Sequence, residues 1–152
     1  MSENTTNLSN KIRALRLARI MAVQSMYSIE SSGDEVEIDR IVYYLIESAK
    51  AGKIGEKFTR PDEKRLFALV NGTYEQLAAL DILIEKNLAA EWKLTRIGKV
   101  VKSVLRVGAY EIVNTKDLKV PVIINEYLEI ARLFNHDGEI GFINSVLDNI
   151  AR

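Results

Sequence analysis

The sequence predicts an all-α fold of about seven helices, and three observations carry that expectation. Apolar residues recur three and four positions apart through most of the chain, as at Ile123, Ile124, Tyr127, Leu128, Ala131 and Phe134, which is the period of one helical face. No stretch alternates apolar and polar residues over the length of a strand, and no segment repeats. Turn-forming residues fall between the periodic stretches, at Ser31-Ser32-Gly33-Asp34, at Gly52 and Gly55, and from Asn135 to Gly138.

The elements follow in order. Residues 1 to 9 are Ser-, Asn- and Thr-rich without periodicity and are expected as a disordered tail, with residues 10 to 152 forming one domain. Ser9 or Asn10 is placed to cap a first helix running to about Glu30, with Leu15, Ala18, Ala22, Met26 and Ile29 as its core line. A second helix spans about Val36 to Ala51, and a basic loop bracketed by Gly52 and Gly55 follows. Pro61 suits the first turn of a third helix starting near Asp62 and carrying Leu66, Leu69, Val70, Leu77 and Leu80. Residues 80 to 88 read either as its continuation or as a kinked extension. A long helix from about Arg96 to Asn114 contains Gly108, which costs about 1 kcal/mol relative to alanine there and so points to close packing of a neighbour. Two further helices lie on either side of the Asn135 to Gly138 turn.

Composition bounds the chemistry. At 152 residues, 47% apolar and 28% charged, the chain is long enough for a full core and has the profile of a soluble globular protein. Its formal net charge is zero, so attraction to nucleic acid has to come from local asymmetry. With no cysteine, disulfides and thiolate chemistry are excluded, and one histidine, His136, is too little for a catalytic relay or a histidine metal site. No signal-peptide or membrane-spanning pattern is legible, which makes a cytoplasmic location the expectation. No catalytic set, cofactor or metal is expected.

One local asymmetry stands out. Lys11, Arg13, Arg16 and Arg19 gather on the first helix, and Glu3 is the only acid before Arg19. The three arginines sweep an arc of about 120° beside the apolar line, with Tyr27 further along the same helix. Guanidinium groups bind phosphate bidentately and an aromatic ring offers a stacking surface to an unpaired base. From the spacing alone such a cluster is more often a solvated face. Lys99, Lys102 and Arg106 form a second stripe, for which Arg106 is expected to pair with Glu126 or Glu111, RNA contact being its second reading. Asn125, Glu126, Asn144 and Asp148 interrupt apolar tracts and, lacking catalytic company, are expected as a structural polar latch between helices.

Four segments carry a family resemblance. They are Ala18-Arg19 with Ala22-Val23-Gln24-Ser25-Met26-Tyr27, Val104-Leu105-Arg106-Val107-Gly108-Ala109-Tyr110-Glu111-Ile112, Val122 to Ala131, and Phe142-Ile143-Asn144-Ser145-Val146-Leu147-Asp148. Together they resemble the NusB family of bacterial transcription antitermination factors. The resemblance implies two packed helical subdomains, about 10 to 80 and 81 to 152. It implies binding of boxA-type single-stranded RNA of ribosomal operons jointly with a small-subunit ribosomal protein (the NusE partner), within the transcription elongation complex. It assigns Arg13, Arg16 and Arg19 to phosphates and bases, with Lys11 in the same cluster, Tyr27 to stacking or hydrogen bonding, and Phe142 to an RNA-contacting edge. Monomers and homodimers both occur in the family. This sequence departs from it in spacing its arginines with Ala14, Leu15, Leu17 and Ala18, and in carrying Gly141 where many relatives have lysine.

Two other readings remain at this level. One is a protein-binding helical adaptor with little RNA affinity, which the spaced arginines and Gly141 suit. The other is the related RNA-binding module of ribosomal RNA cytosine methyltransferases, against which the lack of a following catalytic domain counts.

Overall fold

In a computed structural model, described for residues 3–33, 37–51 and 60–152, the chain folds into seven α-helices, with no strand among the described residues. They are α1 (Glu3–Ser31), α2 (Ile38–Ala51), α3 (Glu63–Glu75), α4 (Leu77–Lys86), α5 (Lys99–Asn114), α6 (Val120–Leu133) and α7 (Ile140–Ala151), with short 3₁₀ turns at Leu94–Arg96 and Asp137–Glu139. The all-α expectation and its helix number hold. The glycine-bracketed basic loop, the expected start of the second helix at Val36, and Asp34 of the first turn all lie outside the described residues.

The chain divides into two compact units, Met1–Val70 and Asn71–Arg152, so the division falls earlier than the expected boundary near residue 80. In the first unit, α1 packs on α2. Their buried residues are Ala18, Met21, Ala22, Val23, Met26 and Ile29 on α1 and Val42 and Ile46 on α2, joined by Leu66, Leu69 and Val70 of α3. Each Val, Leu, Ile or Met side chain among them withdrawn from water stabilises the fold by roughly 1.5–3 kcal/mol. Asp62 caps α3, its Oδ1 accepting the Arg65 N–H at 2.9 Å. The Asp62 N–H donates to the Ala14 carbonyl at 3.0 Å, tying the start of α3 to α1. Pro61 thus precedes the cap and does not enter the first turn.

The tail expectation is corrected. Residues 3–9 are helical, because α1 starts at Glu3. Neither glycine nor proline occurs before Gly33, and adding turns to an existing helix costs far less than nucleating one. Ser9 and Asn10 are therefore helix interior, not caps. Burial on α1 begins only at Ala18, while Leu8 and Ile12 stay exposed.

In the second unit α5 is the central helix. Ten of its residues are buried, from Val101 to Ile112, and α4, α6 and α7 all pack on it. A helix buried nearly all round is a core helix with no single apolar stripe. Gly108 is where this packing is tightest: a Cβ built there would lie 3.3 Å from Leu147 Cδ1 and from Tyr127 Cγ. The close approach expected from the sequence is thus made by α6 and α7. Gly72, near the end of α3, has the same role against α5, since a Cβ there would overlap the Tyr110 ring. The open choice at residues 80–88 resolves as a separate helix, α4, following a break at Gln76.

Pro121 lies in the first turn of α6, where its missing N–H removes no helical bond. The other end closes with Asn135 at φ 63°. There the His136 N–H donates to the Ala131 carbonyl at 2.8 Å and the Asn135 N–H to Arg132 at 3.0 Å, the bond pattern of a left-handed helix cap. This cap sets the turn that leads into α7.

Candidate nucleic-acid interface

The basic cluster expected from the sequence lies on α1, in the first unit. Lys11, Arg13 and Arg16 are exposed, and Tyr27 keeps 42% of its surface in water about three to four turns further on. Arg19 departs from the expected face. It is 4% exposed and lies among the core residues of α1, so it is corrected from an RNA contact to a buried side chain. The helical wheel contains the signal: Arg19 stands seven residues before buried Met26, which puts the two within about 20° of each other around the axis. An arc that begins on the solvent side at Arg13 ends in the core at Arg19.

The polar positions of the second unit also sort differently from expectation. Asn125 and Asn144 are exposed, so neither is buried between helices and the latch is not made there. Both sit beside buried neighbours in the chain, yet Asn125 is about 200° around the helix from Ile123. Asp148 pairs with Arg152 at 2.9 Å on the surface of α7, within about one turn, and ties no second helix. Glu126 is half-buried. Alanine at Asn125 or Asn144 is accordingly expected to change stability by no more than about 0.5 kcal/mol, and thermal melts of the two variants overlaying that of the wild type would check this.

The buried polar network lies elsewhere. Glu111, fully buried on α5, accepts the hydroxyl of fully buried Tyr127 on α6 at 2.7 Å. Arg106 holds Asp81 of α4 in a bidentate pair, Nε to Oδ1 at 2.8 Å and Nη2 to Oδ2 at 2.9 Å. Arg106 is 8% exposed, which corrects its place among the RNA contacts, and Asp81 is a partner that sequence reasoning did not name. These contacts do what the latch was expected to do, with α5 as the hub.

Phe142, in the first turn of α7, is half-buried, and its ring centroid lies 5.5 Å from that of Trp92. Trp92 is the second residue that sequence reasoning missed. It stands in the connection between α4 and α5, where the exposed Lys93 follows it. Among the described residues no cluster has the make-up of a metal site. No described helix is long and apolar enough to cross a membrane.

Comparisons with known proteins place this architecture. Residues 16–152 match the model of the NusB family. A transcription antitermination protein NusB of Caulobacter vibrioides is 38% identical over 144 residues, covering 94% of this chain and 95% of that protein. Among solved structures, T. maritima NusB superposes with a TM-score of 0.73 at 27% identity, covering 90% of this chain and 89% of that one. The fold is also that of a chain in a crystal structure of antitermination factors NusB and NusE in complex with dsRNA, with a TM-score of 0.75, 21% identity, and coverage of 91% and 96%. A family match running from Arg16 to the last residue takes in both units and every helix, and on that ground the chain belongs to the NusB family.

Proposed function

We propose that this protein is a transcription antitermination factor that binds boxA-type single-stranded RNA of ribosomal operons together with a small-subunit ribosomal protein, the NusE partner. The observation that carries the reading is the family match over residues 16–152, with a Caulobacter antitermination protein aligned across nearly the whole chain. A solved assembly of NusB and NusE with dsRNA shares the fold and supports both partners. The protein acts by assembly into the transcription elongation complex in the cytoplasm, making and breaking no bond. Lys11, Arg13 and Arg16 take phosphates through charge-assisted bonds, while Tyr27 and Phe142 offer rings to bases or to the partner.

One observation favours a second reading, the protein-binding adaptor. Burial of Arg19 and the pairing of Arg106 with Asp81 remove two cations from the set that the resemblance assigned to RNA. A titration with boxA-like and scrambled RNA, with and without the ribosomal protein, separates the two readings. Three exposed cations on phosphates give a log-log salt slope of about −2 for the protein alone, at roughly 0.7 per phosphate, steeper with the partner. A slope near zero for the protein alone assigns the RNA contacts to the partner and favours the adaptor. Sedimentation of the RNA-free protein shows whether a homodimer competes with the mixed assembly.

A further inference from the structure

We propose that Trp92 and Phe142 form a two-ring platform on which one unpaired base of the bound RNA stacks, with Lys93 and Arg96 neutralising the adjoining phosphates. The inference rests on the RNA-binding reading above and adds to it a contact in the second unit. Trp92 is the only tryptophan of the chain, and 49% of its surface is exposed. A large ring left half in water gives the fold little of what its burial would give. It is nevertheless held in place, because Phe142 from α7 packs on it at 5.5 Å with the planes tilted by 42°. Phe142 braces the indole and the exposed part of the indole takes the base.

Charge argues for the occupant. From Glu91 to Glu111 the sequence carries Lys93, Arg96, Lys99, Lys102 and Arg106 and no acid between the two glutamates. Arg106 is held by Asp81, whereas Lys93 and Arg96 are exposed within four residues of Trp92. A run of cations on a neutral protein, next to an exposed aromatic pair, is the chemistry that recognises a single strand: rings for bases, cations for the backbone. The acids nearby in sequence, Glu91 and Glu139, limit the surface that phosphate can approach, so one base and its neighbouring phosphates is the extent of the site.

The sole tryptophan supplies its own readout. With the full chain and a boxA-like single-stranded RNA, tryptophan emission is expected to be quenched on saturation. Trp92→Ala is expected to weaken RNA binding by the complex with the ribosomal protein about tenfold, Trp92→Phe far less. Replacing Lys93 and Arg96 by glutamine is expected to flatten the salt slope by about 1.4, the share that these two cations add beyond the slope of about −2 from the three on α1. The wild-type emission signal is independent of how well any variant folds. Unmoved emission at saturating RNA, with Trp92→Ala binding as tightly as wild type, overturns the platform and leaves RNA binding through α1 standing. Loss of the ribosomal protein by Trp92→Ala in the absence of RNA assigns the rings to a protein interface and also overturns it. Failure of the wild-type chain to bind RNA with or without the partner overturns the RNA-binding reading and the platform with it.

Discussion

Replacing Glu111 by alanine is expected to destabilise the protein by about 3 kcal/mol, the sum of a lost buried hydrogen bond and a cavity. For a chain of this length that is a fall in melting temperature of roughly 6–12 °C. The effect comes from the place of Glu111: fully buried on the central helix, with the Tyr127 hydroxyl 2.7 Å from its Oε1. Tyr127→Phe keeps the ring and removes only the donor, so about 1–3 kcal/mol is expected. Glu111→Gln keeps an acceptor for the hydroxyl and should be the mildest of the three. Calorimetry of the variants gives the ranking directly. A Glu111→Ala protein that melts with the wild type would show that α5 and α6 are held by apolar packing alone.

The second large effect separates two arginines three residues apart. Arg19→Glu puts a carboxylate into the core of the first unit where a 4%-exposed guanidinium now sits, and several kcal/mol of destabilisation is expected. Arg16→Glu, alone or with Arg13→Glu, changes an exposed charge and should leave the melt within about 0.5 kcal/mol of wild type. RNA binding should respond in the opposite order at temperatures where both proteins are folded. Reversing Arg13 and Arg16 should weaken it at least about tenfold, since each reversal removes an attraction and adds a repulsion. Thermal melts and RNA titrations on the same preparations measure both. Equal RNA affinity for wild type and the Arg13/Arg16 reversal would mean that the outer face of α1 is merely solvated.

What is legible in the sequence follows the range over which each signal acts. Helical periodicity is local, so α2, α5, α6 and α7 lie close to where spacing puts them, and Gly108 announces a close neighbour because glycine is costly inside a helix. The start of α1 escapes a local reading because poor helix formers such as Asn7 and Asn10 suggest coil, whereas the intact core-facing turns after them extend the helix backwards. Asn125 and Asn144 depart from expectation because adjacency in the chain is not adjacency on a helix face. The contacts that organise the second unit, Arg106 with Asp81, Glu111 with Tyr127 and Trp92 with Phe142, join residues on different elements. No local pattern specifies which distant carboxylate or ring a side chain will meet. The candidate site is therefore legible in its exposed part, Lys11, Arg13, Arg16 and Tyr27, and not where burial or long-range pairing decides.

The late onset of burial on α1 has a consequence for binding strength. From Glu3 to Leu17, about 22 Å of helix, no described side chain is buried. A segment of that length on its own is marginally helical in water, and Asn4, Thr5, Asn7, Ser9 and Asn10 lower its propensity further. The cations proposed to meet RNA thus stand on turns whose helix–coil balance lies close to even, and any coil population subtracts directly from apparent affinity. Residues that never touch the ligand then act as a dial. Alanine at Asn7 or Asn10, better by up to about 0.7 kcal/mol in helix propensity, is expected to tighten RNA binding by about 1.5-fold, within the ceiling of about twofold that a balance near even allows. Amide exchange in the preceding turns should slow in step, since the same shift toward helix produces both effects.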